Sequence, residues 1–72
     1  MLSRGELIRL LRRRKGWTQR ELAQRAGVTQ TTIVRLERGD TEPVISTIRK
    51  VAEALGVPPA EILGEGAALA EV

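Results

Sequence analysis

The sequence predicts an all-α domain of five short helices, in which the second and third form a helix-turn-helix. Three observations carry that prediction. Apolar residues recur at helical spacing along nearly the whole chain, with no strand pattern, internal repeat or low-complexity linker. Gly16, Gly27, Gly39, Gly56 and Gly64 each follow a segment of helical periodicity, where glycine serves as the left-handed residue just past a helix end. Only Ala26-Gly27-Val28 separates the second segment from the third. That link is too short for the two helices to lie antiparallel, so they must cross.

Each element has its own local reason. The first helix is predicted over Arg4–Lys15, the second over Gln19–Arg25 and the third over Gln30–Arg38. Ser3, Thr18 and Thr29 precede them and can accept from orphan backbone N–H groups. Glu6 and Glu21 stand three residues after Ser3 and Thr18, completing capping boxes. Leu2/Leu7, Trp17/Leu22 and Val28/Ile33 flank the three caps at hydrophobic-staple spacing. The fourth helix, Ile45–Leu55, starts on Val44, which has no capping group, so Pro43 is expected to make the sharp entry. Pro58 and Pro59 suit the start of the fifth, Pro59–Leu63, where a missing N–H costs little. Residues 1–63 thus form the domain and 64–72 a short tail. The core predicted from periodicity is Ile8, Leu11, Leu22, Ala23, Ala26, Val28, Ile33, Leu36, Ile48, Val51, Ala52, Leu55, Ile62 and Leu63. Trp17, the one aromatic residue, reads as a core staple ahead of a stacking platform.

Composition narrows the function. A chain of 72 residues has a small core, burying only about 60% of the surface its unfolded form exposes. It contains no Cys and no His. Disulfides, the usual zinc ligands and the commonest general base are therefore all missing, and no metal, cofactor or enzymatic activity is expected. No stretch approaches the ~20 apolar residues of a membrane span, and no apolar run resembles a signal peptide. A soluble cytoplasmic protein is the default expectation. The net charge of +3 hides an asymmetry. Residues 1–38 carry ten Lys/Arg against three Glu, or +7, whereas residues 39–72 carry two against six acids, or −4. The positive half holds the helix-turn-helix, as a polyanion-facing surface requires, although Arg-rich helices can also be merely solvated.

On a wheel of the third helix, Ile33 and Leu36 mark the buried side. Thr31, Val34, Arg35 and Arg38 then point outward, with Gln30 and Thr32 on the flanks. This chemistry suits base edges: Gln pairs with adenine, Arg with guanine, and Thr or Val meets a thymine methyl. The same residues could also be an ordinary polar helix surface. At the start of the second helix, free N–H groups and the positive end of the dipole favour a phosphate, with Thr18 and Gln19 beside them. Arg20, Thr29 and Arg38 complete the expected phosphate set. The basic run Arg12–Lys15 partly serves the first helix's own C-terminal dipole.

Arg12, Gly16, Thr18-Gln19, Leu22-Ala23, Gly27-Val28, Ile33, Leu36-Glu37, Gly39, Pro43, Ala52 and Ala54-Leu55-Gly56-Val57, in this order and spacing, resemble the Cro/C1-type (XRE-family) helix-turn-helix domain. The resemblance covers about residues 4–63. It implies a five-helix, lambda-repressor-like bundle that binds double-stranded DNA as a homodimer on a pseudo-palindromic operator. It implies that Gln19 contacts phosphate and braces a base-reading Gln30, and that Thr31, Thr32 and Arg35 face base edges or nearby backbone. It also implies that Arg12 pairs with Glu37 in an architectural ion pair. Val44, Pro58, Pro59 and Glu61 fall where related small repressors meet. The chain departs from the pattern in the loop after the third helix, where Asp40-Thr41-Glu42 stands in place of phosphate-binding Lys or Arg. With the sequence stopping at Val72, regulation is expected through dimerisation, expression level or a partner protein.

The leading expectation is therefore a sequence-specific, repressor-like transcriptional regulator. Two alternatives stay open. One is an antitoxin-like module whose acidic half or tail grips a toxin or another regulator. The other is a non-specific nucleic-acid-binding domain, with strong salt dependence and no sequence preference.

Overall fold

The computed structural model describes residues 2–40, 42 and 44–64. Among them are five helices: α1 (Arg4–Arg14), α2 (Gln19–Ala26), α3 (Gln30–Arg38), α4 (Ile45–Leu55) and α5 (Pro59–Leu63). The predicted bounds hold to one residue. α1 stops at Arg14 because Lys15 is its cap, and α2 runs through Ala26.

The starts of α1 and α2 are set by reciprocal capping. Ser3 Oγ accepts from the Glu6 N–H at 3.2 Å while Glu6 accepts from the Ser3 N–H at 3.1 Å. Thr18 and Glu21 repeat the exchange at 3.0 and 2.9 Å. Thr29 caps α3 by accepting from the Thr32 N–H. α4 has no side-chain cap, since its N-cap residue is Val44. The role foreseen for Pro43 falls outside the described residues, as do Thr41 and tail residues 65–72. Gly64 differs from the other glycines: its φ is positive, at 89°, but its ψ of 168° is extended rather than left-handed helical.

α3 packs against α1 and α2, α4 against α2 and α5, and α5 reaches back to α1. Ile8, Leu22, Ile33, Ile48 and Val51 are fully buried where these helices meet. Leu36, Leu55, Ile62 and the small residues Ala23, Ala26 and Ala52 complete the core. Leu11, Val28 and Leu63, predicted as core, are only partly buried. A domain this small has too little interior for every apolar position, so these three close its edge. Trp17 also packs on the core, with the Arg25 guanidinium 4.4 Å over its ring and Lys15 at 5.7 Å.

Gly5 has a role that no sequence pattern marks. It is buried in the first turn of α1, where that helix crosses the end of α3. A Cβ there would fall 2.6 Å from the Leu36 carbonyl oxygen and closer still to that of Glu37. The absence of a side chain is what lets the two backbones touch.

Candidate nucleic-acid interface

The crossing of α2 and α3 is built from the backbone outward. Gly27 adopts φ 71°, ψ 33°, a left-handed conformation natural to glycine. This turns the chain so that the Val28 N–H donates to the Ala23 carbonyl at 3.0 Å, closing α2. Thr29 begins α3 directly afterwards. Buried Ala23 and Ala26 keep the helices close.

This crossing leaves one face of α3 uncovered. Gln30, Thr31, Arg35 and Arg38 are exposed, Val34 is half-buried, and with Asp40 they line one shallow, open groove. Thr32 lies outside it. Thr32 is half-buried and its hydroxyl is 2.9 Å from that of Thr29, so both hydroxyls serve the cap of α3. A helical wheel places Thr32 on the flank but does not reveal this bond.

At the start of α2, Thr18 Oγ1 accepts from the Glu21 N–H, which leaves its hydroxyl proton available. The first N–H groups of the helix, at Gln19 and Arg20, have no intrahelical acceptor. Arg20 is exposed. Gln19 is half-buried, and its Nε2 donates to Glu37 Oε1 at 3.2 Å. Among the described residues no bond joins Gln19 to Gln30, so the brace implied by the family resemblance is replaced by one to Glu37.

Glu37 is the hub of the site's support. Its side chain is wholly buried. Arg12 donates from Nε to Oε2 at 2.7 Å and from Nη2 to Oε1 at 3.0 Å. The remaining Arg12 nitrogen, Nη1, donates to the Trp17 carbonyl at 2.8 Å. Arg9 adds longer bonds of 3.4 Å to the Glu37 carboxylate and to its backbone carbonyl. One carboxylate therefore ties together α1, the turn before α2, the first residue of α2 and the end of α3. Burial alone pushes the Glu37 carboxyl up, but hydrogen bonds from Arg12 and Gln19, the Arg12 charge and the Arg9 bond outweigh it and hold the group below its usual 4.5. Hydrogen bonding to Glu37 raises Arg12 in turn. Glu6 and Glu21 are also lowered, by the Ser3 and Thr18 backbone N–H groups first and their hydroxyls second.

A pH dependence follows. All three carboxylates bind protons less readily folded than unfolded, so the stability they contribute is complete above the ordinary Glu range. It drains away as pH falls through that range toward the folded values. Melting temperature should be nearly level above about pH 5.5 and fall steadily below about pH 4.5, where unfolded Glu takes up protons. A melting temperature constant down to about pH 3 would contradict this account.

Val44 and neighbouring Ile45 are exposed at the start of α4, at 64% and 39%. Pro58 and Glu61 are exposed and Pro59 is half-buried. Among the described residues, no acidic group has the clustering that would hold a metal ion, and no helix is long and apolar enough to cross a membrane.

A short crossing of two capped helices, with a polar and basic face left open on the second, defines a helix-turn-helix DNA-binding domain. The helix-turn-helix family model matches residues 8–62. The chain belongs to the Cro/C1-type (XRE) helix-turn-helix family of transcriptional regulators. It is 48% identical over 50 residues to an uncharacterized HTH-type transcriptional regulator of Methanothermobacter thermautotrophicus, covering 69% of this chain and 72% of that protein. Its fold is similar to that of the P22 c2 repressor in complex with a synthetic operator, with TM-score 0.82 and 30% identity over 89% of this chain and 97% of the repressor. It is also similar to a chain of the complex between Bacillus subtilis SinR and the SinI protein, with TM-score 0.78 and 35% identity over 86% of this chain and 61% of that one.

Proposed function

We propose that the protein binds operator DNA as a homodimer and acts as a repressor-like regulator, with α3 in the major groove and the N-terminus of α2 on the phosphate backbone. The observation that carries this is the open groove of α3, where Gln30, Thr31, Val34 and Arg35 share one accessible surface. Operator binding by the similar P22 c2 repressor supports it. Gln30, Thr31, Val34 and Arg35 read base edges. Thr32 supports them through the cap it shares with Thr29. Thr18, Gln19, Arg20, Thr29 and Arg38 hold the backbone, Gln19 with the N–H that Glu37 leaves free. The second copy joins through Val44, Pro58, Pro59 and Glu61, placing two α3 helices in successive major grooves about 34 Å apart.

Selection of bound duplexes from a random pool tests this reading. An enriched pseudo-palindrome is the expected result. Loss of all enrichment would defeat sequence reading, and an enriched single half-site would defeat the dimer. Two substitutions divide the labour. Gln30→Ala should relax preference at one base position by about 1–3 kcal/mol while leaving binding to random DNA nearly unchanged. Arg38→Ala should weaken binding to every duplex and lower the salt slope. Equal losses on operator and random DNA for Gln30→Ala would remove it from the reading set.

The SinR–SinI complex favours a second reading, in which a protein partner (a toxin or another regulator) also docks on this chain. Tagged protein that retains one stoichiometric partner other than a second copy of itself from its own cells would support it; recovery of the chain alone would defeat it.

A further inference from the structure

We propose that Asp40 is an electrostatic brake on DNA binding, its carboxylate partly neutralising Arg38 on the face that α3 offers to DNA. The inference rests on the DNA-binding reading above and deepens it.

The placement of Asp40 is built by the end of α3. Gly39 is left-handed, at φ 76° and ψ 23°. The Gly39 N–H donates to the Leu36 and Arg35 carbonyls, and the Asp40 N–H returns to the Arg35 carbonyl at 3.1 Å. This is the wrapped-back end that glycine makes possible, and it folds Asp40 over the last turn instead of away from it. The carboxylate thereby reaches 4.0 Å from Arg38 Nη1. It also lines the same groove as Gln30, Thr31, Val34 and Arg35.

The fold itself gives no reason for an acid here. A carboxylate beside a helix C-terminus faces the negative end of the dipole, the unfavourable sign. Its pair with Arg38 is a surface pair, with side chains 66% and 55% exposed, and such pairs stabilise little. On the interface the same charge matters more. Docked phosphates would lie within a Debye length of Asp40. Arg38 must either leave Asp40 or bring it along, and in both cases one positive contact is discounted. Backbone affinity is the sequence-independent part of binding, so the discount weakens attachment to random DNA without touching base readout.

The experiment compares wild type, Asp40→Asn, Arg38→Gln and the double variant, each on a random-sequence duplex and on the duplex enriched by selection, across a salt series. Asp40→Asn should bind both duplexes about three- to tenfold more tightly at low salt, with a slope of log affinity against log salt steeper by less than about one, the part of the Arg38 contact that Asp40 withholds. Base preference should not change, and most of the gain should vanish in the Arg38→Gln background. Its melting temperature should equal or exceed that of wild type. Unchanged affinity and slope would overturn the brake, as would a gain undiminished without Arg38. Weaker operator binding with altered preference at one position would overturn it too, making Asp40 a reader of a cytosine amino group. If neither wild type nor Asp40→Asn binds any duplex, the DNA-binding reading itself fails and the brake with it.

Discussion

Glu37→Ala should remove a large part of the protein's folding stability. The substitution removes a fully buried carboxylate and strands Arg12, itself buried, without its charge partner. Losing one member of such a pair typically costs about 3–5 kcal/mol. A domain of 72 residues has roughly 4–11 kcal/mol in total at the usual stability per residue. Gln19 loses its acceptor and Arg9 one of its two at the same time, so the lower end of the cost is not expected. Urea unfolding followed by Trp17 fluorescence measures the loss. The cost comes from stranding a charge, not from losing an unusually strong bond, so removing both partners should be far milder. Arg12→Met with Glu37→Leu should recover most of the stability, because well-packed apolar pairs replace buried ion pairs at little or no cost. That variant also separates architecture from function. It folds, but it leaves Gln19 without the acceptor that holds it at the start of α2, so its DNA affinity should fall while base preference persists. A loss below about 1 kcal/mol for Glu37→Ala would mean that the network does not bear on folding.

The difference between what could be read in advance and what could not follows the range of the interactions. Helix ends were legible because their causes lie within a few residues: Ser3 with Glu6, Thr18 with Glu21, and the glycines that close α2, α3 and α4. The open face of α3 was legible because Ile33 and Leu36 fix its orientation by period alone. Arg12 and Glu37 were not legible from the residues themselves. Arg12 opens a basic run that a helix dipole already explains, and its partner is 25 residues away. Only the family resemblance joined them. The bond from Gln19 to Glu37 is hidden for the same reason: nothing local to Gln19 shows that Glu37, and not Gln30, takes one of its N–H groups. In sequence Asp40 reads only as a missing phosphate contact, because its place beside Arg38 depends on the backbone turn at Gly39.

Gly5 left the least trace of all, and its replacement is the second large effect expected. In sequence it is merely a weak helix former, and by intrinsic propensity Gly5→Ala should stabilise α1 by about 1 kcal/mol. The fold reverses the sign. The added methyl would sit 2.6 Å from the Leu36 carbonyl oxygen and 2.8 Å from the Glu37 carbonyl carbon. These are backbone atoms in the last turn of α3, and no rotamer change can move them aside. α1 must instead lift away, and that motion draws Arg9 and Arg12 off Glu37. Overpacking commonly costs about 1–3 kcal/mol, and partial loss of the ion-pair network adds to it. A net destabilisation of about 2–4 kcal/mol is expected, enough to lower the melting temperature by about 10 °C or more in a domain of this size. The clash and the loosened network also predict a coupling. In the Arg12→Met/Glu37→Leu background, Gly5→Ala should cost only its overpacking share, because no ion pair is left to disturb. Propensity and contact predict opposite signs, so a melting temperature at or above wild type for Gly5→Ala would refute the close approach of α1 to α3.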